Sequence, residues 1–174
     1  ANGQYAVTLG GLVQTIGATT IGTGIGTGTI TDNDEAGVIL AESGGGTAVV
    51  EGGATDSYTL VLSSQPTANV TVAINPTAQL STTPTSVTFT PANWNVAQTV
   101  TVSAVDDAVA EGSHGGSVTH TVSSADSNYS GIPVAGVTAT ITDNDVAGVT
   151  VTPTAGLVTT EAGGTATFTV VLNT

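Results

Sequence analysis

The sequence predicts an all-β protein, a sandwich of about seven antiparallel strands set in a tandem array. Three observations predict it. Short runs alternate apolar with β-branched polar residues at period two, the period of a strand half buried in a sheet. Gly, Thr, Ser, Val and Ala dominate while Leu, Glu, Lys and Arg are scarce, which disfavours helices. Ile30-Thr31-Asp32-Asn33-Asp34 recurs 111 residues later as Ile141-Thr142-Asp143-Asn144-Asp145.

The repeat continues past those five residues. Glu35-Ala36-Gly37-Val38 matches Val146-Ala147-Gly148-Val149, and Val50-Glu51-Gly52-Gly53 matches Thr160-Glu161-Ala162-Gly163 with one residue of slippage. A period of this length is a whole domain rather than a solenoid rung. The chain therefore divides into the C-terminal strands of one module (1–34), a complete module (35–145) and the N-terminal strands of a third (146–174).

Residues 1–34 read as two strands. The first is Gln4-Tyr5-Ala6-Val7-Thr8-Leu9; the second is a Gly/Thr run over 18–31 in which Gly22, Gly24, Gly26 and Gly28 alternate with Thr23, Ile25, Thr27 and Thr29. That run lacks the following helix and Lys of a phosphate-cradling loop. In the complete module a strand over 36–41 breaks at Gly44-Gly45-Gly46 and resumes over 47–50, the pattern of a bulged or split edge strand.

Five further groups alternate in the same way: Tyr58, Leu60 and Leu62; Val70, Val72 and Ile74; Val87 and Phe89; Val100 and Val102; Val118, His120 and Val122. Val137, Ala139 and Ile141 close the module. Residues 75–86 read largely as a loop, and the prolines fall between runs or at their edges. This strand count and spacing match an immunoglobulin-like sandwich. Trp94, in a Pro91-Ala92-Asn93-Trp94-Asn95 turn, is expected to lie as a lid over one end of the core.

The formal charge is −13, with no Lys or Arg anywhere. That excludes the electrostatic footprint of a nucleic-acid binder and of a protein drawn to anionic membranes. With no cysteine, disulfides and thiolate metal sites are excluded as well. No stretch is long and apolar enough to span a membrane. The Thr-rich, Lys-free composition suggests an extracellular protein.

The carboxylates are clustered. None lies in residues 57–105; in the complete module they gather at Glu51, at Asp106, Asp107 and Glu111, and at Asp143 and Asp145, with Asp32, Asp34 and Glu161 at equivalent places in the flanking modules. If strands run alternately up and down, the first turn, the turn after the fifth strand and the end of the last strand share one pole. Six carboxylates then meet without a basic partner, each close like-charge pair costing about 1 kcal/mol even in water. A hard cation removes that cost. Ca²⁺, which accepts six to eight oxygens in flexible geometry, suits the pole better than Mg²⁺. Zinc is disfavoured, because the chain has two histidines and His120 has inward parity.

Val50-Glu51-Gly52-Gly53, Val105-Asp106-Asp107-Ala108-Val109-Ala110-Glu111-Gly112 and the closing Ile141-Thr142-Asp143-Asn144-Asp145 together resemble the Calx-beta domain. That family is the calcium-binding sandwich of sodium–calcium exchangers, found in tandem in large bacterial surface and adhesin proteins. The resemblance implies calcium ligands at Glu51, Asp106, Asp107, Glu111, Asp143 and Asp145, and at the carbonyl of Val109. Asn144 stands in place of the middle acid of a DDD run, and His114 in place of a further acid. One or two ions per module are therefore expected, at roughly 10⁻⁴–10⁻³ M affinity.

Functionally the chain reads as a calcium-stiffened spacer of an extracellular adhesin or surface filament, whose expected partners are neighbouring modules of the same chain and, through other regions, host or surface glycans or proteins. The alternatives are a carbohydrate- or protein-binding module, which an aromatic content of 3% disfavours, and a filament subunit joined to identical chains by strand complementation. An enzyme is not expected, since there is no GxSxG elbow and no cation for an anionic substrate. Asn69-Val70-Thr71 and Asn128-Tyr129-Ser130 fit glycosylation sequons.

Overall fold

The computed structural model describes residues 33–174; the two strands expected within 1–34 and Asp32 lie outside them. Nine strands build the sandwich: β1 (Val38–Glu42), β2 (Thr47–Val50), β3 (Asp56–Leu62), β4 (Val70–Pro76), β5 (Leu80–Thr83), β6 (Ser86–Phe89), β7 (Gln98–Ala104), β8 (His114–Ser124) and β9 (Val137–Thr142). One sheet has the order β1-β3-β7-β5, the other β2-β9-β8-β4-β6. This is an all-β, immunoglobulin-like sandwich.

The chain makes seven passes between the poles, two of them divided between the sheets. The first pass leaves β1 at a 3₁₀ turn, Ser43–Gly45, and enters the opposite sheet as β2. Gly44 and Gly45 hold the positive φ angles of that turn, at 62° and 83°. Acidic side chains pin the crossing. Ser43 donates to Asp56, the Ala48 N–H donates to Asp56 Oδ2 at 2.9 Å, and the Thr47 hydroxyl donates to Glu42 Oε2 at 2.7 Å.

The fourth pass is divided in the same way, β5 and β6 lying in different sheets on either side of Pro84. This corrects the expectation of a loop over 75–86. Leu80 and Thr82 of β5 are buried while Ser81 and Thr83 are exposed, a four-residue alternation with a single large apolar residue.

Not every neighbouring pair is antiparallel. β2 pairs with β9 in parallel, from Thr47 opposite Ala139 to Val50 opposite Thr142, because the first and last passes both run toward the same pole.

The expected inward residues form the core. Tyr58, Leu60, Val70, Val72, Phe89, Val100, Val102, Val118, Val137 and Ile141 are all buried, each contributing roughly 1.5–3 kcal/mol on burial. Trp94 packs against this core, and its carbonyl accepts the Leu62 N–H at 3.1 Å. His120 points toward the core edge. Its Nδ1 donates to the Ala135 carbonyl at 2.8 Å, which leaves Nε2 to accept from the Tyr58 hydroxyl at 2.8 Å. Burial holds His120 below the usual imidazole range and pushes the Tyr58 hydroxyl up to about 12. Both ring nitrogens are thus committed to structure.

At the opposite pole Asp126 is buried and well supplied with donors. It accepts the N–H groups of Thr67 at 2.7 Å and Asn128 at 3.0 Å, and the Thr67 bond chiefly holds its carboxyl below the ordinary range. Nearby, the buried Tyr129 hydroxyl donates to the Ser64 carbonyl at 2.5 Å.

Two strands follow the sandwich, β10 (Val149–Thr152) and β11 (Thr169–Leu172), paired antiparallel with Val149 opposite Leu172. In β1 and β3 the corresponding pair is Val38 opposite Leu62. The ladders coincide once the single residue of slippage is removed.

Gly116 of β8 lets the sheets approach, since a Cβ there would lie 2.6 Å from Leu80 Cδ1. Gly116→Ala should therefore destabilise the protein by about 1–3 kcal/mol in a denaturant titration, and Leu80→Ala should cost less in that background than alone. Asp126 gives a signed pH dependence. Its depressed folded pKa contributes stability above the ordinary value of about 3.9, lost as pH falls through the lower folded value. The melting-temperature gap between wild type and Asp126→Asn should be widest near neutrality and narrow as pH falls below the ordinary carboxylate range.

Candidate metal centre

The β2–β9 pairing carries straight into the acidic pole. Val50 lies opposite Thr142, and the Glu51 N–H donates to the Thr142 carbonyl at 3.0 Å. The residues following each strand, Glu51 and Asp143, are consequently neighbours. The turn after β2 needs a glycine at Gly52, whose φ is +59°. A Cβ on Gly52 would also meet Asn144 Nδ2 and Asp106 Oδ1, each at 3.1 Å, so the glycine lets three loops close on one point.

Asp143 acts first as a clasp. Its Oδ1 accepts the Asp145 N–H at 2.7 Å, and its Oδ2 accepts the N–H groups of Glu111 and Gly112, each at 2.6 Å. The Asp145 bond chiefly, then that from Gly112, holds its carboxyl below the usual range. Asp107 shapes its own loop, Oδ1 accepting the Val109 N–H at 2.8 Å.

Glu51 is the opposite case. It is 2% exposed, and neither carboxylate oxygen has a hydrogen-bond partner. Desolvation first, then the charges of Asp143 and Asp107, raise its pKa. Asp145 is raised as well, by desolvation and then by Asp143, and its Oδ2 is also without a partner. A buried carboxylate oxygen left unpaired is costly. Here three such oxygens occur at one pole.

All six expected carboxylates reach this pole. Oxygens of Glu51, Asp143 and Asp145 lie within 4.8 Å of one another, and Glu111 joins Glu51 in a second such group. Asp106 is held by Asn144, and Asp107 is close enough for its charge to act on both Glu51 and Asp145. Val109 enters through its N–H to Asp107. Glu161 sits on a turn with the same backbone bond as its counterpart, Gly163 N–H to the Thr160 carbonyl at 3.0 Å, where Gly53 bonds Val50 at 3.1 Å. It is nevertheless exposed, since no strand equivalent to β9 lies beside it among the described residues.

Three contributors are polar side chains that counting acids passes over. Asn144 donates through Nδ2 to Asp106 Oδ1 at 2.9 Å and to the Glu51 carbonyl at 3.2 Å, which a carboxylate could not do. Gln79, in the acid-free loop before β5, donates to both oxygens of Glu111, at 2.9 and 2.8 Å. His114 opens β8 with Nε2 at 3.4 Å from Glu111 Oε2 and 3.8 Å from Glu51 Oε1. Its bond to the Gly112 carbonyl chiefly raises its pKa.

The donor set suits a hard divalent cation. The unpartnered atoms at the pole are mostly carboxylate oxygens, the kind of ligand a hard cation takes, and no lysine or arginine competes.

A scan against models of known protein families finds no match, and a search of curated proteins finds none. Among solved structures the chain is similar to the apo-form Calx CBD1 domain, at 15% identity over 62% of this chain and 98% of that one, with a TM-score of 0.45. It is also similar to SSP-19, an MSP-domain protein like family member of Caenorhabditis elegans, at 13% identity over 56% and 92%, with a TM-score of 0.35. Fold likeness does not assign function, which must come from the site itself.

Asn144→Asp isolates the amide's contribution, because it keeps the shape and turns a donor into an acceptor beside Asp106. In chelator it should lower stability by about 1–3 kcal/mol, measured by thermal unfolding.

Proposed function

We propose that the chain is a structural, calcium-stabilised repeat segment of an extracellular adhesin or surface filament, a spacer with no catalytic role. The observation that carries this is Glu51: a buried carboxylate with both oxygens unpaired, among Asp143, Asp145 and Asp107, in a chain without Lys or Arg. A carboxylate so placed weakens a metal-free fold and strengthens a cation-bound one. Glu51, Asp143 and Asp145 would hold the ion, with Asp106, Asp107, Glu111 and the Val109 carbonyl completing one or two sites. The cation supplies charge neutralisation alone.

If the repeat marks module boundaries, this chemistry would lie at a joint. Val146-Ala147-Gly148 separates Asp145 from β10, and Thr174 donates to the carbonyl of Ala108 in the acidic loop. Charge neutralisation at the pole would therefore fix the angle to the following strands, and its loss would loosen them.

A second reading, a filament subunit that accepts strands from an identical chain, is favoured by the exposed Phe168, Val170, Val171 and Leu172 in and beside β11. Concentration-dependent assembly of the isolated chain would separate it from the spacer.

Adding about 10 mM calcium to chelator-treated protein should raise stability by about 1.4–2.7 kcal/mol if the affinity lies in the weak extracellular range. Small-angle scattering should show a more rigid particle. Unchanged melting and an unchanged scattering profile would overturn the calcium reading. Glu51→Gln adds a test by sign: without metal the variant should melt higher than wild type, and calcium should stabilise it less.

A further inference from the structure

One corner of the pole is chemically unlike the rest. A carbonyl only accepts, so the 2.9 Å contact between His114 Nδ1 and the Gly112 carbonyl puts the proton on Nδ1. In the neutral ring, Nε2 then carries a lone pair. It is buried, has no hydrogen-bond partner, and faces Glu111 Oε2 at 3.4 Å and Glu51 Oε1 at 3.8 Å, two acceptors that repel that lone pair. A carbonyl fixing the far nitrogen, with the near one aimed at carboxylates, is how proteins orient a metal-binding imidazole.

The remaining features agree. Glu51 contributes a deeply buried, unpartnered carboxylate, and Gln79 locks Glu111 through bonds to both its oxygens. Ligand atoms of the three residues lie within 4.8 Å of one another. A tetrahedral zinc with bonds of about 2.0–2.2 Å separates its ligands by roughly 3.3–3.6 Å. The 3.4 Å separation already fits, and the 3.8 Å one needs a shift of a few tenths of an ångström. Calcium and magnesium favour oxygen, so the nitrogen is what distinguishes this corner.

We propose that Glu51, Glu111 and His114 bind a borderline transition-metal ion of the zinc type, with water in the fourth position. The site does not rest on the calcium reading, although the two would compete for Glu51. It departs from the expectation that zinc is disfavoured in a chain with two histidines: one side-chain nitrogen beside two carboxylates would complete a three-ligand open site.

The test is calorimetric titration of the metal-stripped full chain with Zn²⁺ in calcium-free buffer, repeated with Co²⁺ to record the visible spectrum. Wild type should bind saturably, with cobalt bands of a nitrogen- and oxygen-ligated tetrahedral ion. His114→Gln should weaken zinc by about tenfold or more and abolish those bands, with folding checked by circular dichroism. Glu111→Gln, at an exposed position, should also weaken zinc. No saturable zinc binding, or unchanged binding in both variants (His114 acting only as an imidazolium beside the carboxylates), would overturn the proposal. Calcium titration of the same wild-type preparation keeps the readings apart: calcium without zinc defeats this proposal alone, and zinc without calcium defeats the calcium reading alone.

Discussion

Four parallel residue pairs, Thr47 with Ala139 through Val50 with Thr142, join the first pass of the chain to the last, and the acidic pole follows from them. Parallel neighbours end at the same place, so the residues that follow, Glu51 and Asp143, emerge side by side although 92 positions separate them. Between antiparallel neighbours the chain that leaves one strand meets the chain that enters the other. The 3₁₀ turn at Ser43–Gly45 moves the first pass into the sheet where this pairing can happen. Asp56 and Glu42 hold that crossing, and hence indirectly the charge cluster some residues away.

The acidic side chains have divided roles. Asp126 and Asp56 take backbone N–H groups and stabilise the fold as ordinary structural carboxylates. Asp143 does the same while standing at the pole. Glu51 and Asp145 keep oxygens with no donor at all. Since all these groups carry the same formal charge, the difference lies in the local supply of N–H donors. That supply reaches Asp126, Asp56 and Asp143 and does not reach the free oxygens of Glu51 and Asp145.

Neutral side chains make the convergence tolerable. The amides of Asn144 and Gln79 supply donors that the chain otherwise lacks near Asp106 and Glu111. His114 can donate or ligate according to its state, which gives the pole a chemistry that oxygen alone would not have. Asn144 occupies the middle of an acid-Asn-acid run, and its role depends on its not being an acid.

Much of this was legible in the residues. Period two identified the inward faces of β3, β4, β6, β7, β8 and β9, because a strand with one wet face must alternate. The repeat marked equivalent turns, and alternating direction over seven passes brought the acids to one end. β5 escaped notice because four residues with one leucine carry little periodic signal. Tertiary structure alone decided the parallel β2–β9 pairing, the burial of Glu51 against the exposure of Glu161, and the placing of Asn144, Gln79 and His114 among the carboxylates. Each depends on which distant segment packs alongside, and exposure and hydrogen-bond supply belong to that packing rather than to any local pattern of residues.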